Sequence, residues 1–590
     1  MQSVKCKMKD EKGRVAVLFC ILHFAFCILH FTLWPVVAHG DPTVGVALNH
    51  PVYRLIDRFE AKGWLRGWGN GTRPMSRMEV ARALRQILDR AAKGERPTAA
   101  ASGQIDSTKR ERLTSAESGQ IGRLKVEFGP ELRAMGVEVP PASGSLFRRL
   151  GAGGHLGAWE GAEGYVSIDA LLRQQFIASD DGARTSLTQV GGFVEGTAGR
   201  LVGFRVRHWE ARQQGNRAIR SHADIIGGRV EFLEVKGKLG DFREATGQVV
   251  VGTPWFDVAM GKDFESWGPS FTGSLFLSDN APSFPFVKLR ARYGRVKFVH
   301  LMGFLRSGLL DTARTREDNG HLRTFERRKY LSAHRVEVGI TSRITIGAQE
   351  ILIYGDRGVE FAYAIPASFL FATQTFLGDK DNTALGLDVD FRLVRNLKVY
   401  GALFLDDLSK FQGPNAFSNK FAVQAGFLWV DPGGLRDTEV RGEFVRVEPW
   451  VYTHLFNINR YQHDEMLLGH PLGPNSDGIY GEVLHRFTGA LSFTLSASRE
   501  RHGSNPVLMD GTVMNVGGDP DLGQRPGDDV RTKQFLAGIR EGRTRFGCKA
   551  TFEPVLDLFL EAGYRRLIFQ GSGLNPKRHE WTATMSYNFY

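Results

Sequence analysis

Three groups of residues in this sequence have side chains suited to holding a ligand. Trp267 with Asp279 and Asn280, and Tyr452 and His454 with Asn475 and Asp477, combine aromatic rings with planar polar side chains. That combination suits carbohydrate, because a ring stacks on the apolar face of a sugar while carboxylates and amides hydrogen-bond its hydroxyls. The third group is basic: Arg306, Arg314, Arg316, Arg323, Arg327, Arg328 and Lys329 fall in or beside residues 305–332. Guanidinium groups bind uronate or phosphate through paired hydrogen bonds. Lipopolysaccharide phosphates, or simple solvation of a long loop, account for the same arginines. Packing accounts for the aromatic groups equally well, since the Gly, Pro and Asn residues beside them also set turns.

Other chemistry lacks its motifs. The chain holds no G-x-S-x-G, no H-E-x-x-H and no P-loop, and Gly261-Lys262 lacks the glycine that a P-loop needs five residues earlier. No catalytic residue is assigned, and no enzyme activity or cofactor is expected. Asp379, Asp381 and Asp388, and Asp519, Asp521, Asp528 and Asp529, offer oxygen ligands of the kind Ca²⁺ takes, but read as solvated loop acids. The 16 histidines are scattered, so no metal site is expected. The net charge is +12, of which the basic leader supplies five positive and two negative charges, leaving about +9 on the remainder. That balance favours an anionic partner, and the exported character described next excludes nucleic acid.

The elements that would position these groups begin after a targeting segment. Residues 1–40 carry a basic start, an apolar run from Val15 to Val37 and the small-x-small ending Ala38-His39-Gly40 of a cleavable signal peptide. Of Cys6, Cys20, Cys27 and Cys548, only Cys548 lies beyond it, so no intramolecular disulfide is expected in the exported chain. At the other end, Trp581, Ala583, Met585 and Tyr587 alternate with Thr582, Thr584, Ser586 and Asn588, and Phe589 continues the apolar face. Period two ending on aromatics at the C-terminus is the pattern of the last strand of an outer-membrane β-barrel. Mean hydropathy is only −0.22, and 64 aromatic residues and 69 glycines are spread along the chain. A barrel hides its membrane face in alternate residues, so average hydropathy stays low.

Further hairpins repeat this alternation. Val336, Val338 and Ile340 share a face, as do Leu385, Leu387, Val389 and Phe391, and Leu558, Leu560, Ala562 and Tyr564. The charged residues between them are expected to face a wet lumen. Counting back from Tyr590, short connections near 553–557, 488–489, 432–436, 393–396, 342–343 and 290–293 alternate with long ones. The long set falls near 571–577, 501–530, 455–477, 407–418, 355–381, 305–332 and 263–283. Short periplasmic and long extracellular connections are the rule in such barrels. The count gives about fourteen strands from residue 254 onward, and four or five more fit in 163–252. Bacterial barrels take even numbers, so eighteen strands are predicted.

Before the barrel the pattern is helical. Val52, Leu55, Ile56 and Phe59 share one face, and Ser76-Arg77-Met78-Glu79 is a capping box that opens a second helix. A third helix is predicted over 115–132, after a linker at 95–113. Residues 50–84 resemble an S-layer-homology repeat, which implies a cell-wall contact; a plain three-helix packing module fits as well. The predicted fold is therefore mainly β: a signal peptide over 1–40, a small periplasmic α-helical module over 41–140, and a transmembrane antiparallel β-barrel of about 18 strands over 141–590.

The stretch GKDFESWGPSFTGSLFLSDNAPSFPF resembles the signature of the Wzi-type capsule-assembly proteins. Further matches follow in order: KYLSAHRVEV at 329–338, DNTALGLDVDF at 382–391, LFLDDL at 403–408, and WVYTHLFNINRY with LGHPLGPNSDG at 450–478. Ser270 departs from the pattern, where glycine is usual. The resemblance implies a non-catalytic barrel of eighteen strands in the cell outer membrane that holds acidic capsular or other surface polysaccharide and helps assemble the capsule layer. Expected partners are that polysaccharide, lipopolysaccharide and outer-membrane lipid, the barrel assembly machinery and, through the helical module, peptidoglycan; the chain is expected to be a monomer. The alternatives are a porin-like channel, or a structural barrel tethered to peptidoglycan.

Overall fold

The computed structural model describes residues 43–65, 70–93, 112–140, 155–161, 163–199, 201–219, 224–226, 232–253, 255–408, 415–528, 532–571 and 576–589. The leader and most of the predicted linker lie outside them.

Eighteen strands form the wall. They are β1 (Gly164–Ser179), β2 (Arg184–Ala198), β3 (Val202–Gly215), β4 (Leu239–Thr253), β5 (Phe256–Asp263) and β6 (Phe284–Tyr293). Next come β7 (Val296–Leu305), β8 (Lys329–Gly339), β9 (Ile344–Gly355), β10 (Asn382–Val394), β11 (Leu397–Leu408) and β12 (Asn419–Val430). The last six are β13 (Thr438–Val447), β14 (Ser476–Arg486), β15 (Leu491–Ser504), β16 (Ile539–Val555), β17 (Leu558–Gln570) and β18 (Lys577–Tyr587). Each pairs antiparallel with its chain neighbours, and β18 closes on β1 with Tyr587 opposite Leu172. Fourteen of these strands begin after residue 254 and four before it, as the connection lengths predict. The short turn predicted at 290–293 falls instead between Tyr293 and Val296, because β6 and β7 stay paired to that point.

Period two sorts the side chains. Phe176, Val206, Leu387, Phe427, Phe546 and Met585 point outward and are exposed, forming the apolar belt a membrane requires. At the C-terminus the predicted phase fails. Asn588 adopts a left-handed φ of 53°, so Phe589 turns into the lumen beneath the Arg173 and Arg207 guanidiniums, 4.4 and 5.4 Å from its ring centre.

The helical residues precede the wall and sit inside its periplasmic end. Helix α1 (Pro51–Ala61) follows the His50 cap, and α2 (Arg77–Lys93) opens on the predicted box: Ser76 N donates to Glu79 Oε2 at 2.8 Å and Glu79 N to Ser76 Oγ at 3.1 Å. The predicted third helix divides at Phe128 into α3 (Ser115–Glu127) and α4 (Gly129–Ala134), the second opening on Gly129-Pro130. A second capping box, Thr114 with Glu117, starts α3. Val52, Ile56, Phe59, Leu84, Ile87 and Phe128 form the module's own core.

Candidate functional site

The lumen is filled on one side and wet on the other. On the filled side, charges predicted to meet water meet the module instead. Arg58, wholly buried in α1, bonds Glu117 at 2.8 Å and Asp431 at 2.7 Å. Arg54 reaches Glu439 and Glu482 on β13 and β14, at 2.8 and 2.6 Å. Lys398 on β11 bonds Glu60 of α1 and Asp390, both at 2.7 Å. Burial opposes ionisation of Glu79, yet Lys297, Arg290 and Arg292 hold its carboxyl far below the usual carboxylate range. Paired this way, the buried charges lock the module to the wall, because losing one partner strands the other.

Above the module, two outer connections fold inward. The segment 264–283 and the segment 448–475 bond each other through Tyr452 Oη to Leu275 O at 2.7 Å, Tyr461 Oη to Phe276 O at 2.9 Å and Asn280 Nδ2 to Leu467 O at 2.9 Å. Glu443 on β13 accepts from Phe271 N at 2.7 Å, Thr272 N at 2.9 Å and Tyr400 Oη at 2.6 Å, fixing this plug to the wall. Trp267, Phe276, Phe404, Tyr452 and Tyr461 form its apolar centre. Two glycines make room: a Cβ on Gly386 would strike the Phe276 ring, and one on Gly469 would strike the Tyr452 ring. The two fillings touch where Thr72–Arg73 of the module pairs antiparallel with Ser266–Trp267 of the plug.

The remaining side runs along β15–β18. Arg543, Lys549 and Arg565 face inward half-exposed, with Lys549 on Glu561 at 2.6 Å and Arg565 on Glu580 at 2.8 Å. A cavity of about 550 Å³ lies between this wall and the module, bounded by Arg54, Arg123, Glu482 and Arg486 and, at the plug, by Ser270 and Phe271. The expected wet lumen is thus confined to this side.

The sequence-derived ligand residues divide by burial. Trp267 and Tyr452 are fully covered, so neither ring offers a face to a sugar; Trp267 Nε1 donates to Glu265 at 3.3 Å, and Tyr452 stacks on Tyr461 at 5.3 Å. Asn475 is equally buried, donating to Gly503 O and Ala537 O and accepting from Leu536 N, a staple for the 505–538 connection. Asp477 is held by Arg501 at 2.9 Å. These four make packing and anchoring contacts inside the barrel, where the aromatics predicted for the surface lie buried. Asp279 and Asn280 are half-buried at the plug's edge, and His454 is half-buried with Nδ1 accepting from Phe456 N at 3.1 Å.

The arginines are outside. Residues 306–328 carry six arginines against four acids and project as a small hairpin, Arg316–Asp318 paired with His321–Arg323, whose tip at 316–323 is exposed. The Arg314 and Arg323 guanidiniums both pack on Phe325, 4.7 and 5.1 Å from its ring centre. Arg306 bonds Glu326 at 2.7 Å and Asp464 at 3.0 Å; Arg327 pairs with Asp356, and Arg328 is exposed. Among the described residues, no group of three or more His, Cys, Asp or Glu side chains is placed to hold a metal ion.

A closed ladder, an apolar outer belt and a plugged lumen define an eighteen-stranded outer-membrane β-barrel. Residues 190–565 match the family described as capsule assembly protein Wzi, and the chain belongs to that family. Among solved structures, it is similar to Wzi of Escherichia coli, described as an outer membrane protein involved in group 1 capsule assembly and a carbohydrate-binding β-barrel. Identity is 12%, the TM-score is 0.51, and the match covers 93% of this chain and 100% of that one. Weaker likenesses are to OpdK of Pseudomonas aeruginosa with vanillate (10% identity, 72% and 98% coverage, TM-score 0.40) and OprD of the same species (11%, 72% and 94%, 0.39). None of the curated proteins matches.

Proposed function

We propose that this protein holds acidic surface polysaccharide on its outer face, without catalysis, and helps assemble the capsule layer. Family membership and the carbohydrate binding described for the similar E. coli barrel support this reading. The observation that carries it is the arginine hairpin at 306–328, where two guanidiniums pack on the Phe325 ring. It offers bidentate donors to uronate or phosphate and a ring edge to a sugar, outside a lumen whose filled side leaves little room for a polymer. Arg306 and Arg328 belong to this surface, with Asp279, Asn280 and His454 at its inner margin. Residues 41–140 are read as a periplasmic module and 141–590 as the barrel. Peptidoglycan contact by that module is disfavoured, because Arg54, Arg58, Arg77 and Glu79 are engaged by the barrel and by α3 and α4. A monomer inserted by the barrel assembly machinery among lipopolysaccharide completes the proposal.

The test uses the purified full-length protein, with a polyuronate and neutral dextran as probes. Replacing Arg314, Arg316 and Arg323 together by Glu is expected to weaken polyuronate binding at least tenfold and to leave the barrel folded. In cells, deletion is expected to loosen surface polysaccharide while synthesis continues; undiminished retention would sink the reading. The wet side of the lumen favours a second reading, a narrow channel. Planar-bilayer conductance that is large in the wild type and indifferent to the arginine changes would support it.

A further inference from the structure

The connection 356–381 between β9 and β10 takes an unusual path. Gln349, Ile351 and Ile353 of β9 face the lumen, so Glu350, Leu352 and Tyr354 face outward. The connection folds down over those outward residues rather than rising away from the membrane. Its two short helices, α5 (Phe361–Ala364) and α6 (Leu370–Phe376), pack Tyr363 and Leu370 against Leu352 and Tyr354.

Beneath it lies a polar row that a lipid-facing wall cannot leave bare. His300, His334 and Glu350 stand directly opposite one another across β7, β8 and β9, all outward and all buried. Glu350 accepts from Leu370 N at 2.9 Å and Phe371 N at 2.6 Å, and the neighbouring Ser332 Oγ donates to Tyr363 O at 2.7 Å. Four residues higher on the same strands stands an aromatic row, Phe304, Tyr330 and Tyr354, paired in register. Rows of this kind mark the membrane–water interface. At a rise of about 3.3 Å per residue and a tilt of about 40°, the polar row sits roughly 10 Å below it, at acyl-chain depth. The outer face of the connection is apolar: Phe361 is 81% exposed, Phe376 87% and Ile365 55%.

We propose that residues 356–381 form a flap seated in the outer leaflet, with acyl chains as its partner. It shields the His300–His334–Glu350 row and replaces it with an apolar face continuous with the barrel belt. At its root, Asp381 accepts from Arg357 at 2.9 Å and from Tyr363 Oη at 2.6 Å, which ties both ends of the flap at interface height. This inference needs the membrane barrel and not the polysaccharide reading.

To test it, Cys548 is replaced by Ser, and single cysteines are placed by Phe361→Cys and Phe376→Cys. Met585→Cys on the bare wall and Met509→Cys on an exposed connection serve as references. The full chain, labelled with an environment-sensitive fluorophore, is reconstituted into phosphatidylcholine–phosphatidylglycerol vesicles with brominated acyl chains, and heat-modifiable mobility confirms a folded barrel. Bromolipid quenching at 361 and 376 should reach at least half that at 585, with iodide quenching several-fold below that at 509. Iodide access matching residue 509 would overturn the proposal. Protection from both quenchers would overturn it too, by showing that a second protein chain covers the face.

Discussion

At the scale of single residues, burial decides what the aromatic side chains do. Trp267 and Tyr452 have the chemistry of a sugar platform and the position of a keystone. Removing a fully buried aromatic side chain costs about 3–5 kcal/mol. Trp267→Ala is therefore expected to release the plug and raise planar-bilayer conductance, with polyuronate binding at the arginine hairpin retained. His463 and His470 give the plug a pH dependence. Burial pushes each imidazole down to about 3, whereas an unfolded histidine titrates near 6.5. Below that value the released segment takes up protons that the packed one refuses. The stabilisation is complete above pH 6.5 and is lost as pH falls towards 3, by about 1.4 kcal/mol per unit for each histidine. Conductance recorded between pH 7.5 and 4.5 should rise as pH falls, and His470→Gln should flatten the rise.

At the scale of elements, the module is attached by charge and the plug by apolar packing, so the two respond to different insults. Arg58→Met would remove the cation that Glu117, Asp431 and Glu439 share, leaving Lys62 to the first two and Arg54 and Arg486 to the third. Breaking a buried pair from one side costs about 3–5 kcal/mol. Hydrogen exchange of α1 amides should then quicken by two to three orders of magnitude while the strands stay protected. Acid acts on this attachment later than on the plug. Lys62 and Arg58 outweigh burial and hold the Glu117 carboxyl below its ordinary range. Its contribution is present above about pH 4.5 and lost only as pH falls through the lowered value.

At the scale of the whole molecule, the wall was legible and its contents were not. Alternating outward residues and the swing between short and long connections are imposed by the bilayer, so eighteen strands could be counted from sequence. The capping box at Ser76 is equally local and appears as read. What a long connection does after leaving its strand depends on distant partners. The stretch from Trp267 to Phe286 mixes aromatics with turn residues, which suits an outer surface and an inner plug alike. A clue lay elsewhere, in glycines such as Gly386 and Gly469 set where a side chain would collide with those rings. The apolar run FAYAIPASFLFATQTF in the 355–381 connection is a second such clue, because a solvated loop has no need of so many rings. The arginines of 306–328 cluster within one connection, so their proximity is legible without knowing any distant partner.

The segments 264–283 and 450–478 are largely locked inside the barrel. Divergence is costly there, since each ring leans on another segment. The hairpin at 306–328 is tied at its base, through Arg306 to Asp464 and Arg327 to Asp356, while its tip at 316–323 is exposed. If the hairpin is the contact surface proposed above, it can be rewritten by small steps while the stopper beneath it stays the same.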